Sequence, residues 1–351
     1  MPVPAGTARA MTGNPHNRQS GRANASVLAA LGVVLAGTTV PPALSGNLED
    51  FGTDPAARGW RVVGDGSLFR WDAAAGALAV TWDSRHPNSF FALPLAAPLS
   101  KADDFSFGFK LRLDEIQVGV DPAKPGTFEI AAGFLNLAQA SSPAFQRGVF
   151  LRSTNLVEWT WFPAAQGVSS SVSPVLVPAD GRLPWGYRDS YMELRTAADY
   201  RFRLDYSAVD RTLRLAVTVD GEAGAELDPV VLPDGFTDFS VNALSITSYS
   251  DAGQDPRFAG SILAKGWIDD IAWEVPPPPV GSIRIRREGT VLLVTAGTRT
   301  GWRYGLESSD DLAGWKPAGA TLDGTGSDLV FRADGGTLAD GRYFRLGCTR
   351  P

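Results

Sequence analysis

Two adjacent carboxylates, Asp269 and Asp270, interrupt the run Gly266-Trp267-Ile268-Asp269-Asp270-Ile271-Ala272-Trp273-Glu274-Val275, whose aromatic and β-branched residues mark a strand. Successive strand residues face opposite sides, so one of the two points toward the packed face unless a bulge intervenes. A buried carboxylate requires a cation or several hydrogen bonds, which makes the pair a candidate metal ligand. A third acid, Glu158, sits in Leu156-Val157-Glu158-Trp159-Thr160-Trp161-Phe162. Alternation there places Leu156, Glu158, Thr160 and Phe162 on one face and Val157, Trp159 and Trp161 on the other. This describes either a wet concave face bearing an acid or an exposed glutamate opposite a tryptophan-rich core, and the second is the preferred expectation. Glycoside hydrolysis needs two carboxyl groups flanking a cleft, and Glu158 alone does not supply them.

Sugar binding uses flat aromatic faces rimmed by donors and acceptors. The turn-rich stretch Leu183-Pro184-Trp185-Gly186-Tyr187-Arg188-Asp189-Ser190-Tyr191 offers both, so Trp185, Tyr187 and Tyr191 join Glu158 as candidate ligand-binding residues. The alternative is that Trp185 and Tyr187 plug one end of a sandwich, since large aromatics bury most of their area. Histidine chemistry is set aside. His16 falls in the N-terminal presequence, and His86, between Arg85 and Pro87, reads as a surface turn, which argues against both a transition-metal site and a Ser-His-Asp triad.

Strands must position these groups. In Phe105-Ser106-Phe107-Gly108-Phe109-Lys110-Leu111-Arg112-Leu113 every odd position is apolar, so one face is core and the other wet. The same period recurs in Tyr200 to Tyr206 and Leu213 to Val219, predicted to pair antiparallel through a turn at 207–211. Further strands are predicted at 67–72, 77–82, 89–95, 127–135, 149–153, 156–162, 225–232 and 239–249. So many strands exceed one flat sheet, and two packed antiparallel sheets follow, with Trp60, Trp71, Trp82, Trp267 and Trp273 assigned to the core. Pro276 to Pro279 cannot continue a central strand, so the domain ends there.

The scattered 38 glycines and 25 prolines of the 351 residues punctuate short apolar runs and favour an all-β chain. Residues 1–45 contain Arg9, Arg18 and Arg22, no acid, and the apolar run Val27 to Gly37, too short to span a bilayer. They read as an export signal with cleavage after Ser45, translation starting at Met1 or Met11. Its removal takes three of 32 basic residues and none of 38 acidic ones, which excludes nucleic acid as the expected partner. No other segment is apolar enough to span a membrane, and the single Cys348 permits no intramolecular disulfide. The predicted layout is a signal peptide at 1–45, a sandwich at 46–275, a proline-rich linker at 276–280 and a small β domain at 281–351.

The opening Phe51-Gly52-Thr53-Asp54 with Gly59-Trp60, the Phe105 to Leu113 strand, the Tyr200 to Asp220 hairpin and the closing Ile268-Asp269-Asp270-Ile271 together resemble the concanavalin A-like lectin/glucanase group. They also resemble laminin G-like domains and jelly-roll carbohydrate-binding modules. The resemblance implies a two-sheet jelly roll in a group of lectins, glycosidases, lyases and purely structural domains, so fold does not choose among them. It also implies a structural calcium ion joining an acid of the opening segment, Glu49 or Asp50, to one of the closing strand, Asp269 or Asp270. Hydrolases of the group place acids at alternate positions of one strand, and no such run exists here. Beyond the prolines, Tyr304-Gly305-Leu306-Glu307-Ser308-Ser309-Asp310-Asp311-Leu312 with Trp315 and Tyr343-Phe344-Arg345-Leu346 resemble fibronectin type III-like modules, which implies spacing or attachment. The expectation is an exported, non-catalytic β-sandwich binding glycan or another extracellular surface. A carboxylate-based glycan hydrolase or lyase and a structural envelope component are the alternatives.

Overall fold

A computed structural model describes residues 45–148, 151–224, 227–257, 259–277, 279–334 and 343–349; apart from Ser45, the expected signal peptide lies outside the described residues. β1 (Ser45–Glu49), β2 (Arg61–Val63), β3 (Phe69–Asp72), β4 (Ala77–Asp83) and β5 (Ser89–Leu99) lead into the long β6 (Phe105–Val118). β7 (Ile130–Leu135) precedes a single helical turn, α1 (Leu137–Ala140). β8 (Leu156–Phe162), β9 (Ser171–Val177), β10 (Gly186–Tyr187) and β11 (Ser190–Tyr191) follow. β12 (Asp199–Ser207), β13 (Thr212–Val219), β14 (Glu222–Ala223), β15 (Val230–Val231), β16 (Val241–Ser248) and β17 (Ile262–Val275) complete the large unit.

These strands form two antiparallel sheets. The first runs β14-β13-β12-β6-β17-β4-β3, with β1 added to β17 and β15 to β13. The second runs β10-β9-β8-β7-β16-β5-β2, with β11 added to β9. Sequence-distant strands lie side by side, as when β17 sits between β6 and β4, and this crossing order is a concanavalin A-like jelly-roll sandwich. The alternation of β6 puts Phe105, Phe107, Phe109, Leu111 and Leu113 into the interior, all buried. Trp159 of β8 meets Phe202 of β12 at 4.6 Å between ring centroids, and Trp60, at the entry to β2, meets Trp273 of β17 edge-on at 6.2 Å, so aromatic contacts stitch the sheets together. The predicted β12–β13 hairpin forms, with Ser207 opposite Thr212 across its turn.

The middle of the second sheet is buried on both faces. β7 is buried along its whole length, and on β8 only Phe162 is partly exposed. The segment 136–148, which includes α1, lies across the face turned away from the sandwich core. It is held by Asn136, which donates to the Ser240 carbonyl (3.1 Å), and by the Leu137 amide, which donates to Asn242 Oδ1 (3.0 Å). Phe145 stacks on Tyr249, 6.0 Å between centroids. Beneath it the sheet keeps to small residues. A Cβ at Gly133 would meet the Val157 carbonyl oxygen at 2.4 Å, so only glycine fits beside Glu158.

Sequence expectation and structure part at particular places. Trp267 was assigned to the core, yet it faces outward beside Arg112, and its Nε1 donates to Asp114 Oδ2 at 2.6 Å. Residues 151–153 of the expected 149–153 strand form a turn, and 149 and 150 lie outside the described residues. Of 225–232, only Val230 and Val231 pair as a strand; 225 and 226 lie outside the described residues.

After the prolines, β18 (Val280–Glu288), β19 (Val291–Thr298), β20 (Arg303–Ser309), β21 (Lys316–Pro317), β22 (Leu322–Asp323), β23 (Asp328–Asp334) and β24 (Tyr343–Thr349) make a three-stranded and a four-stranded sheet. They enclose their own cluster of Val294, Ala296, Trp302, Tyr304, Leu306, Phe331 and Ala333. Gly289, at φ 62°, supplies the turn between β18 and β19. Arg299 pairs with the buried Asp103 at 2.6 Å and ties this unit to the large sandwich. Among the described residues no helix is long and apolar enough to cross a membrane.

Candidate functional site

β10 and β11 form one edge of the second sheet, both pairing antiparallel with β9. Tyr187 lies opposite Val175 and Tyr191 opposite Ser171. Those partners are four positions apart on β9, so the two tyrosines face the same way, about 13 Å apart along the strand. Val172, Pro174 and Leu176 of β9 are buried against the core, so the tyrosines point out from the opposite face, 59% and 74% exposed. Between them Asp189 accepts a hydrogen bond from Ser173 Oγ at 2.6 Å, which fixes the connection. A depression of about 410 Å³ adjoins Tyr191, walled by the turn 164–170 and Glu193. Trp185 does something else: half-buried against the core, it donates from Nε1 to the Gly181 carbonyl at 3.1 Å. It plugs the sandwich end, whereas Tyr187 and Tyr191 form the open platform.

The acids proposed for calcium are brought near one another, because β1 pairs with β17 and sets Glu49 opposite Ile271. Each already has a partner. Glu49, 1% exposed, accepts at Oε2 from Arg58 Nε (2.7 Å), and at Oε1 from Arg58 Nη2 and the Phe51 amide. Asp50 Oδ1 accepts from the Gly52 amide at 3.0 Å. The ladder between β17 and β6 slips between Asp269 and Ala272, where Asp270 adopts φ 47°. That bulge turns Asp270 toward Arg201, at 2.6 Å, while Asp269 Oδ1 accepts from the Asp270 amide and partial burial pushes its carboxyl upward. Calcium takes six to eight oxygens. Here guanidinium groups stand where a cation would, and among the described residues no three His, Cys, Asp or Glu gather to hold a metal, so this donor set does not fit calcium.

Glu158 is neither exposed nor part of a wet face. It is fully buried under the segment 136–148, because that segment covers the side of β8 it occupies. Tyr249, just past β16, donates to Glu158 Oε1 at 2.5 Å. Arg147 lies between two carboxylates, with Nε 3.4 Å from Glu158 Oε2 and Nη2 3.0 Å from Glu129 Oε2, and its guanidinium sits 5.5 Å from the Tyr249 ring centroid. Burial raises the Glu158 pKa from 4.5 to about 7, against the opposing pull of Arg147 and the Tyr249 hydrogen bond. Burial likewise raises Glu129, and burial with the adjacent Glu158 keeps the Tyr249 phenol protonated. Glu158 thus shares a face of the sheet with Tyr187, both in register with Val175, but it is sealed where the tyrosines are exposed. The structure adds Glu129, Arg147 and Tyr249, which nothing in the sequence pattern singled out.

No protein-family model matches the chain, and no curated protein matches it significantly. Among solved structures the chain is similar to lectin UEA-II complexed with galactose, at 11% identity over 66% of this chain and 99% of that one, TM-score 0.41. A Lotus tetragonolobus seed lectin gives 11% identity over 67% and 100%, TM-score 0.40. Alginate lyase Aly36B gives 10% identity over 66% and 93%, TM-score 0.36. At these values the fold rests on the strand order itself.

Proposed function

We propose that this chain is an exported, glycan-binding β-sandwich whose ligand rests on Tyr187 and Tyr191. The observation that carries the proposal is the pair itself: two large aromatic rings, mostly exposed, held on one face by two strand pairings to β9. Exposed aromatic faces beside a depression with Gln166, Ser169, Ser170 and Glu193 in its lining match the apolar faces and hydroxyl rims of pyranose rings. The carboxyl groups Glu129 and Glu158 are sealed from solvent, which favours binding over cleavage. The small C-terminal unit serves as a fibronectin type III-like spacer. A glycan array on the wild-type protein and on Tyr187→Ala and Tyr191→Ala tests the assignment. Selective binding by the wild type that both variants lose supports it; binding that survives both substitutions places the ligand elsewhere.

A further inference from the structure

The segment 136–148 enters the second sheet with one charged side chain, Arg147, and that side chain ends between two buried carboxylates. Glu129 reaches it from the residue before β7 and Glu158 from β8, while Tyr249 closes the cluster from beyond β16. Arg147, Tyr249 and Glu129 are the titratable groups that act on Glu158 most strongly. One guanidinium faces two carboxyl groups, so with both ionised the buried cluster carries an uncompensated negative charge. The latch is also imperfectly made, since Glu129 Oε2, Glu158 Oε2 and Arg147 Nε form no aligned hydrogen bond.

We propose that Arg147 is a proton-dependent latch, which holds the segment 136–148 over the second sheet while the Glu158 carboxyl keeps its proton and releases it when that proton leaves. Release uncovers a floor of small and hydroxyl-bearing side chains, among them Gly133, Thr160, Ser245 and Thr247, all on the side of the sheet that carries Glu158. The direction follows from linkage. A carboxyl that titrates near 7 when covered and near 4.5 when wetted binds its proton more tightly in the closed form, so opening is favoured as pH rises. Between pH 5.5 and 8.5 the open population grows about thirtyfold.

Hydrogen exchange of the full chain, followed peptide by peptide from pH 5.5 to 8.5 and corrected for intrinsic rates, tests this. The amides of 136–148 should lose protection about thirtyfold across that range while those of β8 and β16 do not. Glu158→Gln, which keeps an acceptor for Tyr249 but cannot ionise, should flatten the pH dependence to what Glu129 alone contributes. Tyr249→Phe removes the hydrogen bond that favours the ionised carboxyl and so raises the covered pKa further; its rise should begin at the same pH but level off at a higher one. An unchanged pH response in Glu158→Gln, a response in the wild type shared equally by β8 and β16, or a Tyr249→Phe curve that levels off at the same pH as the wild type overturns the latch.

Discussion

Substituting Arg58 by methionine keeps the side-chain stem and removes the guanidinium that neutralises Glu49. The Glu49 side chain is fully buried, and after the substitution only the Phe51 amide, at 2.8 Å, still donates to its carboxylate. Breaking a buried ion pair by removing one partner costs about 3–5 kcal/mol, because the other charge is stranded. Arg58 itself is 36% exposed, so water can approach the vacated position and the cost falls to about 2–3 kcal/mol. For a domain of this size, that lowers the melting temperature by about 5–10 °C. Glu49→Gln should cost less, since Arg58 can turn to solvent, and the double variant should recover part of the Arg58→Met loss. Thermal and urea unfolding of the four proteins close a double-mutant cycle, with a coupling of at least about 1 kcal/mol expected. An Arg58→Met loss under about 0.5 kcal/mol, or strict additivity, would show that the β1–β17 junction does not depend on this pair.

Three further outcomes follow from the geometry. The covered form binds the Glu158 proton more tightly than the unfolded chain, so this group stabilises the fold fully below about pH 4.5 and the contribution is lost as pH rises to about 7. The stability gap between wild type and Glu158→Gln should therefore shift by about 3 kcal/mol over that window in urea titrations, and parallel curves would refute the burial-driven shift. Tyr187→Ala and Tyr191→Ala should each change stability by less than about 0.5 kcal/mol, because both rings are exposed, so any loss of glycan binding is a loss of contact. Millimolar calcium or a chelator should leave the melting temperature of the protein unchanged; a calcium-dependent rise would mean that ligands other than Glu49, Asp50, Asp269 and Asp270 assemble a site.

Period-two alternation carried most of the fold. In β6 and in the β12–β13 hairpin, burial on one face and solvent on the other is a local property, and the residues announce it. The second sheet hid its nature for the opposite reason. Glu158 occupies the polar register of β8, so an open outer face was the natural expectation, and its burial depends on 136–148 folding back across the sheet. Trp267 misled in the reverse sense, since a tryptophan in a strand usually packs inward, while here Asp114 satisfies its ring nitrogen at the surface. The bulge at Asp270 was equally invisible, because the slip in register is set by pairing with β6 and not by the residue itself.

Three of the acids that drew attention in the sequence share one fate, and it explains why chemistry was hard to read from them. Glu49 meets Arg58, Asp270 meets Arg201, and Glu158 meets Arg147. The guanidinium suits these roles because it stays charged, is weakly hydrated and presents several donors in one plane. In sequence the arginines alternate with acids and apolar residues, which is the signature of solvated strand faces. Folding sorts them into two kinds that composition cannot separate. Arg201 remains on an outer face, where its pair with Asp270 is wet and contributes little. Arg147 is buried with Glu129 and Glu158, where charge balance becomes sensitive to a single proton. The distinction lies in which arginine a loop carries across a sheet, and that makes the covering segment, rather than any strand, the place where this sandwich departs from an inert scaffold.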